Sequence, residues 1–208
     1  MGHLQALNLM LIAMCCHTGS GNNEQIENLQ DIGDNIDIRM ALNTTLTLWL
    51  FWQSYSNNLP VCSNGKCINE KETCTHNKMI NISNEQYYFN QTLLFEEVLD
   101  TTNYRGDFKD GESPPKSMEV FELPDVTDVT EVKDTTEAST TLAHQEWVLQ
   151  YLEPGDGRCM VFTIQELDGP TKDDPDKCEM YIKGTPKDGD PPGSCGTFFK
   201  RHCNTDAN

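Results

Sequence analysis

Nine cysteines punctuate this chain of 208 residues, and their positions limit what it can fold into more than any other feature. They are Cys15, Cys16, Cys62, Cys67, Cys74, Cys159, Cys178, Cys195 and Cys203. No C-x2-C pair occurs among them, so the close-spaced ligands of a structural zinc site are missing and no metal is expected. Cysteines scattered this widely read as a disulfide framework, which belongs to an oxidising compartment. Three Asn-x-Ser/Thr sequons, at Asn43, Asn81 and Asn90, point the same way, being acceptors for N-glycosylation. The stretch 4–16 is apolar and leads into His17-Thr18-Gly19-Ser20-Gly21, a zone suited to cleavage. We read 1–20 as a signal peptide and 21–208 as one domain of a secreted, extracellular protein. The leader departs from the usual pattern, since no Lys or Arg precedes Arg39. Cleavage would remove Cys15 and Cys16 and leave seven cysteines (9 − 2), an odd number. One thiol then stays unpaired or joins two chains, giving a monomer or a disulfide-linked dimer.

Charge excludes some partners. Fifteen Lys and Arg stand against 33 Asp and Glu, a net charge of -18. A surface this acidic repels nucleic acid and anionic membranes, attracts cations, and keeps a secreted chain in solution.

The residue pattern is one of short strands separated by turns. Ile26, Leu29, Ile32 and Ile36 recur at helical spacing, and a helical turn follows over 37–42. LTLWLFWQSY (46–55) and QYYFNQTLLF (86–95) read as strands, rich in aromatic and Thr side chains. Ser63-Asn64-Gly65-Lys66 is a hairpin turn bracketed by Cys62 and Cys67. The stretch 103–117 reads as a loop, and the Thr/Asp/Glu-rich stretch 125–141 as an exposed connection. A short strand begins at Met118, and three clearer ones cover 146–152, 158–164 and 177–182. The segment 194–202 closes the chain as a short helix or a packed end. Strands at this spacing predict an antiparallel sandwich or barrel.

Catalytic signatures are missing: there is no G-x-S-x-G elbow, phosphate-cradling glycine loop or H-E-x-x-H, and the five histidines are scattered. The expectation is a binding protein, not an enzyme, that works without a cofactor. Two-residue alternation groups Met160, Phe162 and Ile164 on one strand face and Cys159, Val161 and Thr163 on the other. In the next strand Glu179 and Tyr181 share a face, with Cys178 and Met180 opposite. A disulfide could tie Cys159 to Cys178 across neighbouring strands. With that bridge outside, Met160, Phe162, Glu179 and Tyr181 point into a barrel that can hold one small ligand.

These residues carry a resemblance. Cys159-Met160-Val161, Glu179-Met180-Tyr181 and Cys195, with Phe198-x4-Cys203 and the turn Glu122-Leu123-Pro124-Asp125, resemble the salivary lipocalins of ticks, the histamine-binding protein family. The resemblance spans 37–203 and is specific from Glu146 onward. It implies an eight-stranded antiparallel lipocalin-type barrel with short helices at its amino and carboxy ends. It implies sequestration of host inflammatory or haemostatic mediators, either lipid mediators or biogenic amines such as histamine and serotonin. Ligand contacts would come from Glu179, Tyr181, Met160, Phe162, Trp147 and Tyr151. Bridges would run from Cys159 to Cys178 and from Cys67 or Cys62 to Cys203, with Cys195 paired to an early cysteine. The family's amine pattern has Asp where this chain has Met160, and Leu where it has Met180. Losing a carboxylate from the inward face favours a hydrophobic or amphipathic ligand, with an amine second. The alternative is a cysteine-stapled module that binds host plasma proteins through its surface and has no functional cavity.

Overall fold

The computed structural model describes residues 36–55, 58–63, 66–71, 73–95, 98–109, 111, 113–124, 143–168 and 177–203. The signal-like leader, the helical repeat before Ile36 and the acidic connection 125–141 lie outside these residues.

Helix α1 (Ile38–Leu42) starts where Asp37 accepts a hydrogen bond from the Arg39 amide at 2.9 Å and pairs with its guanidinium at 2.8 Å. This N-cap satisfies donors that a helix start leaves open. Ten strands follow: β1 (Leu48–Gln53), β2 (Asn58–Ser63), β3 (Lys66–Lys71), β4 (Thr73–Ile82), β5 (Gln86–Phe95), β6 (Val98–Phe108), β7 (Ser117–Leu123), β8 (Gln145–Leu152), β9 (Cys159–Glu166) and β10 (Lys177–Lys183). Helix α2 (Gly193–His202) ends the described chain. Eight strands close into a barrel in the order β1-β10-β9-β8-β7-β6-β5-β4, while β2 and β3 form a separate hairpin inserted between β1 and β4. Every pairing is antiparallel. The fold class is therefore an eight-stranded up-and-down barrel of lipocalin type with two short flanking helices.

Alternation sorts the side chains into two clusters. The inner one gathers Leu48, Tyr87, Phe89, Met118, Val120, Trp147, Leu149, Met160, Phe162, Ile164 and Tyr181, and the buried Ile38, Ala41 and Leu42 of α1 join it at one end. There the Ile38 amide donates to the Pro115 carbonyl at 2.9 Å, fixing α1 beside the β6–β7 connection. We call this the α1 end; the other, where β1, β9 and β10 bring Tyr55, Glu166 and Lys177 together, is the far end. Gly106, opposite Tyr87 in the β5–β6 ladder, leaves room for Met118: a Cβ there would lie 2.5 Å from its sulfur. Gly106→Ala should cost about 1–3 kcal/mol, as overpacked cores do, and shortening Met118 to Val in the same chain should recover part of it in urea denaturation.

The outer cluster lies between the barrel wall and α2. Val161, Met180 and Ile182 meet Phe199, with Trp52 and Phe198 alongside. Trp52 lies 5.8 Å from Phe199 and Tyr151 lies 4.8 Å from Phe198, ring to ring. Lys200, Arg201 and His202 occupy the last turn of α2, where cations suit the helix dipole.

Here the cysteine pairing departs from expectation. Cys159 is bonded to Cys195, and Cys178 to Cys203. Cys159 and Cys178 both face outward, but the β9–β10 register puts Cys159 opposite Ile182 and Cys178 opposite Thr163, at opposite ends of the ladder. They cannot reach each other; each instead staples α2 to the wall. Cys203 is thereby taken from Cys62 and Cys67, which sit opposite one another in the β2–β3 ladder, and Cys195 is taken from the early cysteines. Among the described residues Cys74 is the free thiol.

One expectation about strands also changes, and one strand was not foreseen. The stretch 103–117 is not a loop throughout, since β6 runs to Phe108 and β7 begins at Ser117. The polar run 73–82 is a strand, although its residues carry no strand signal of their own.

Candidate functional site

The site grows from β10. Alternation sends Glu179 and Tyr181 inward while Cys178 and Met180 face α2. Glu179 is only 7 % exposed, and burying a carboxylate is costly unless its oxygens are bonded. Both are. The Tyr55 hydroxyl donates to Oε1, and the Tyr181 hydroxyl donates to Oε2 at 2.6 Å. Tyr55 reaches Glu179 because β1 ends beside it: Gln53 is the ladder partner of Glu179, and the Ser54 amide donates to the Cys178 carbonyl at 3.0 Å. The network continues around the wall. Asn77 of β4, 2 % exposed, accepts from the Gln91 amide of β5 at 3.1 Å. Two hydroxyls, from Tyr55 just past β1 and from Tyr181 on β10, thus converge on one carboxylate.

A second polar group caps this layer. Lys177 pairs with Glu166 at 2.8 Å and stands over the Tyr55 ring, 5.1 Å from its centroid. Gln145 donates to Glu166 at 3.2 Å and accepts from the Trp147 indole at 2.9 Å. Beneath lies an aromatic layer: Trp147 is 5.6 Å from Phe162 and 6.0 Å from Tyr181, and 5.7 Å from Phe89.

Burial is the largest influence on Glu179 and raises its pKa above the ordinary 4.5, against the pull of the two tyrosine donors and Lys177. Tyr181 rises well above 10.0, first through burial and then through the adjacent carboxylate, so it stays a neutral donor. The sign follows. A carboxyl whose pKa is higher folded than unfolded binds more protons when folded, so its contribution to stability falls as pH rises through the interval above 4.5. Urea midpoints measured across that interval should fall with pH in the wild type relative to Glu179→Gln. Parallel curves would contradict the raised pKa.

The sequence-expected contacts are placed as follows. Glu179, Tyr181, Phe162, Met160 and Trp147 all face the barrel interior, and Met160 is the ladder partner of Tyr181. Tyr151 does not. A register shift between Leu149 and Tyr151 reverses the alternation, and Tyr151 packs outside against Phe198. Three residues of the network carried no sequence signal: Tyr55, Asn77 and Gln91. Tyr55 is 124 positions from Glu179, and Asn77 lies on a strand that the sequence hides.

No family model matches the sequence, and no curated protein matches it. Among solved structures, the chain is similar to japanin from Rhipicephalus appendiculatus bound to cholesterol. The two share 13% identity over 78% of this chain and 89% of that one, with a TM-score of 0.46. The fold assignment rests on the closed strand order described above.

Proposed function

We propose that this chain is a secreted carrier that holds one small amphipathic molecule in the half of its barrel far from α1. The observation that carries the reading is Glu179, a buried carboxylate fixed by two tyrosine hydroxyls directly above an aromatic layer. An apolar body, preferably aromatic, would lie against Trp147, Phe162 and Tyr181. Its one polar head, an ammonium or another strong donor, would meet the remaining lone pairs of Glu179. Charge-assisted bonds of this kind are roughly twice as strong as neutral ones, so the head group decides selectivity. Met160 supplies no second carboxylate, which disfavours ligands carrying two cationic groups. In the role implied by the resemblance to tick salivary lipocalins, the molecule is a host inflammatory or haemostatic mediator, a lipid or a biogenic amine.

Displacement of a fluorescent fatty acid tests the reading. The protein should bind the probe at one site, and a long-chain primary amine should displace it at lower concentration than the alcohol of equal length. Equal displacement would contradict the role given to Glu179. Failure to bind any probe would instead favour a stapled module that meets proteins through its surface.

A further inference from the structure

At the α1 end of the barrel, opposite the site above, three large apolar side chains are exposed. Met40 of α1 is 70% exposed, Leu46 54% and Ile80 of β4 59%. Beside them α1 and the turn after β4 form a groove of about 460 Å3 lined by Arg39, Met40, Asn43, Ile82, Ser83 and Asn84. Two sequons meet at this groove. Asn43, first residue of Asn43-Thr44-Thr45, lines it and is the exposed C-cap residue of α1. Ile82 and Ser83, the second and third residues of Asn81-Ile82-Ser83, also line it. Asn81 is exposed, and its Oδ1 accepts from the Ile82 amide at 2.9 Å, a bond that leaves Nδ2 uncommitted. Asn90, by contrast, sits mid-strand between Lys78 and Asn103, half-buried, with its Oδ1 enclosed.

We propose that Asn43 and Asn81 carry N-linked glycans whose inner sugars lie over Met40, Leu46 and Ile80 and keep the α1 ends of two molecules apart. In the transfer, Nδ2 of each asparagine bonds to C1 of a sugar as the C1–oxygen bond to a polyprenyl diphosphate carrier breaks. The amide proton leaves with the carrier. Sugar rings present C–H faces that cover apolar side chains, and a bulky hydrophilic group solubilises the surface around it. The inference rests on the secretory part of the reading above, and not on the ligand.

The test uses the full chain secreted from eukaryotic cells. Peptide mapping after amidase deglycosylation in heavy-oxygen water should label Asn43 and Asn81. The Asn43→Gln/Asn81→Gln variant should lose its monomer peak in light-scattering chromatography, at concentrations where the wild type and Asn90→Gln remain monomeric. Enzymatic deglycosylation of the folded wild type should reproduce that loss, which excludes misfolding as its cause. Adding Met40→Ser and Ile80→Thr to the double variant should restore the monomer. An unlabelled Asn43 or Asn81, or a double variant as monomeric as the wild type, would overturn the proposal. Displacement of the fatty-acid probe, read on the same samples, reports separately on the ligand.

Discussion

Replacing Cys159 and Cys195 together by alanine should lower the unfolding free energy by about 2–4 kcal/mol in urea denaturation. The bridge spans 36 positions and joins β9 to α2. Part of the loss is entropic, because the reduced chain regains the loop conformations the bridge had removed. The remainder comes from α2 itself. Ten residues make a helix too short to persist in water on its own, so α2 depends on the wall it packs against. With the bridge gone, Cys178–Cys203 and the packing of Phe199 and Phe198 against the wall still hold it, but without the tie at its first turn. Amide exchange of α2 should therefore quicken more than that of β9. A variant as stable as the wild type would show that apolar packing alone seats the helix.

Phe162→Ala should cost about 3–5 kcal/mol, the range for a fully buried aromatic truncated in a packed core. Its ring is 0% exposed and stands 5.6 Å from Trp147 and 6.0 Å, edge-on, from Tyr181. Truncation opens a void between the aromatic layer and the carboxylate clamp. Because Tyr181 bonds Glu179, the same change should loosen the clamp and weaken ligand binding beyond what lost contact area explains. Phe162→Leu keeps most of the volume and should cost about 1.5 kcal/mol or less. Similar losses for Ala and Leu would mean that the ring is not tightly packed.

What the sequence made legible follows from how local the causes are. In β9 and β10 both faces of the wall are apolar, and the phase of Met160, Phe162, Glu179 and Tyr181 could be read from two-residue alternation. Tyr151, set among the ligand contacts by the resemblance, is turned outward by a bulge after Leu149, which pairing with β9 sets and which leaves no local mark. Strand β4 was hidden because His76, Asn77 and Lys78 interrupt any apolar pattern. Asn77 is buried with its Oδ1 satisfied by Gln91, a partner 14 positions away that no local pattern announces. Disulfide partners depend on where α2 lands against the wall, which is a tertiary fact; the outward phase of Cys159 and Cys178 was readable, their partners were not. The clamp needed Tyr55, and only closure of the barrel through β1 and β10 brings it to Glu179.

The central claim is that Glu179 anchors the head of an amphipathic ligand. Isothermal titration of the wild type and Glu179→Gln with serotonin, an aromatic body bearing one ammonium, tests it most directly. The wild type should show one site, and the variant an affinity at least about tenfold weaker, a difference of about 1.4 kcal/mol. Equal affinity in two folded proteins, or no binding to the wild type, would contradict it.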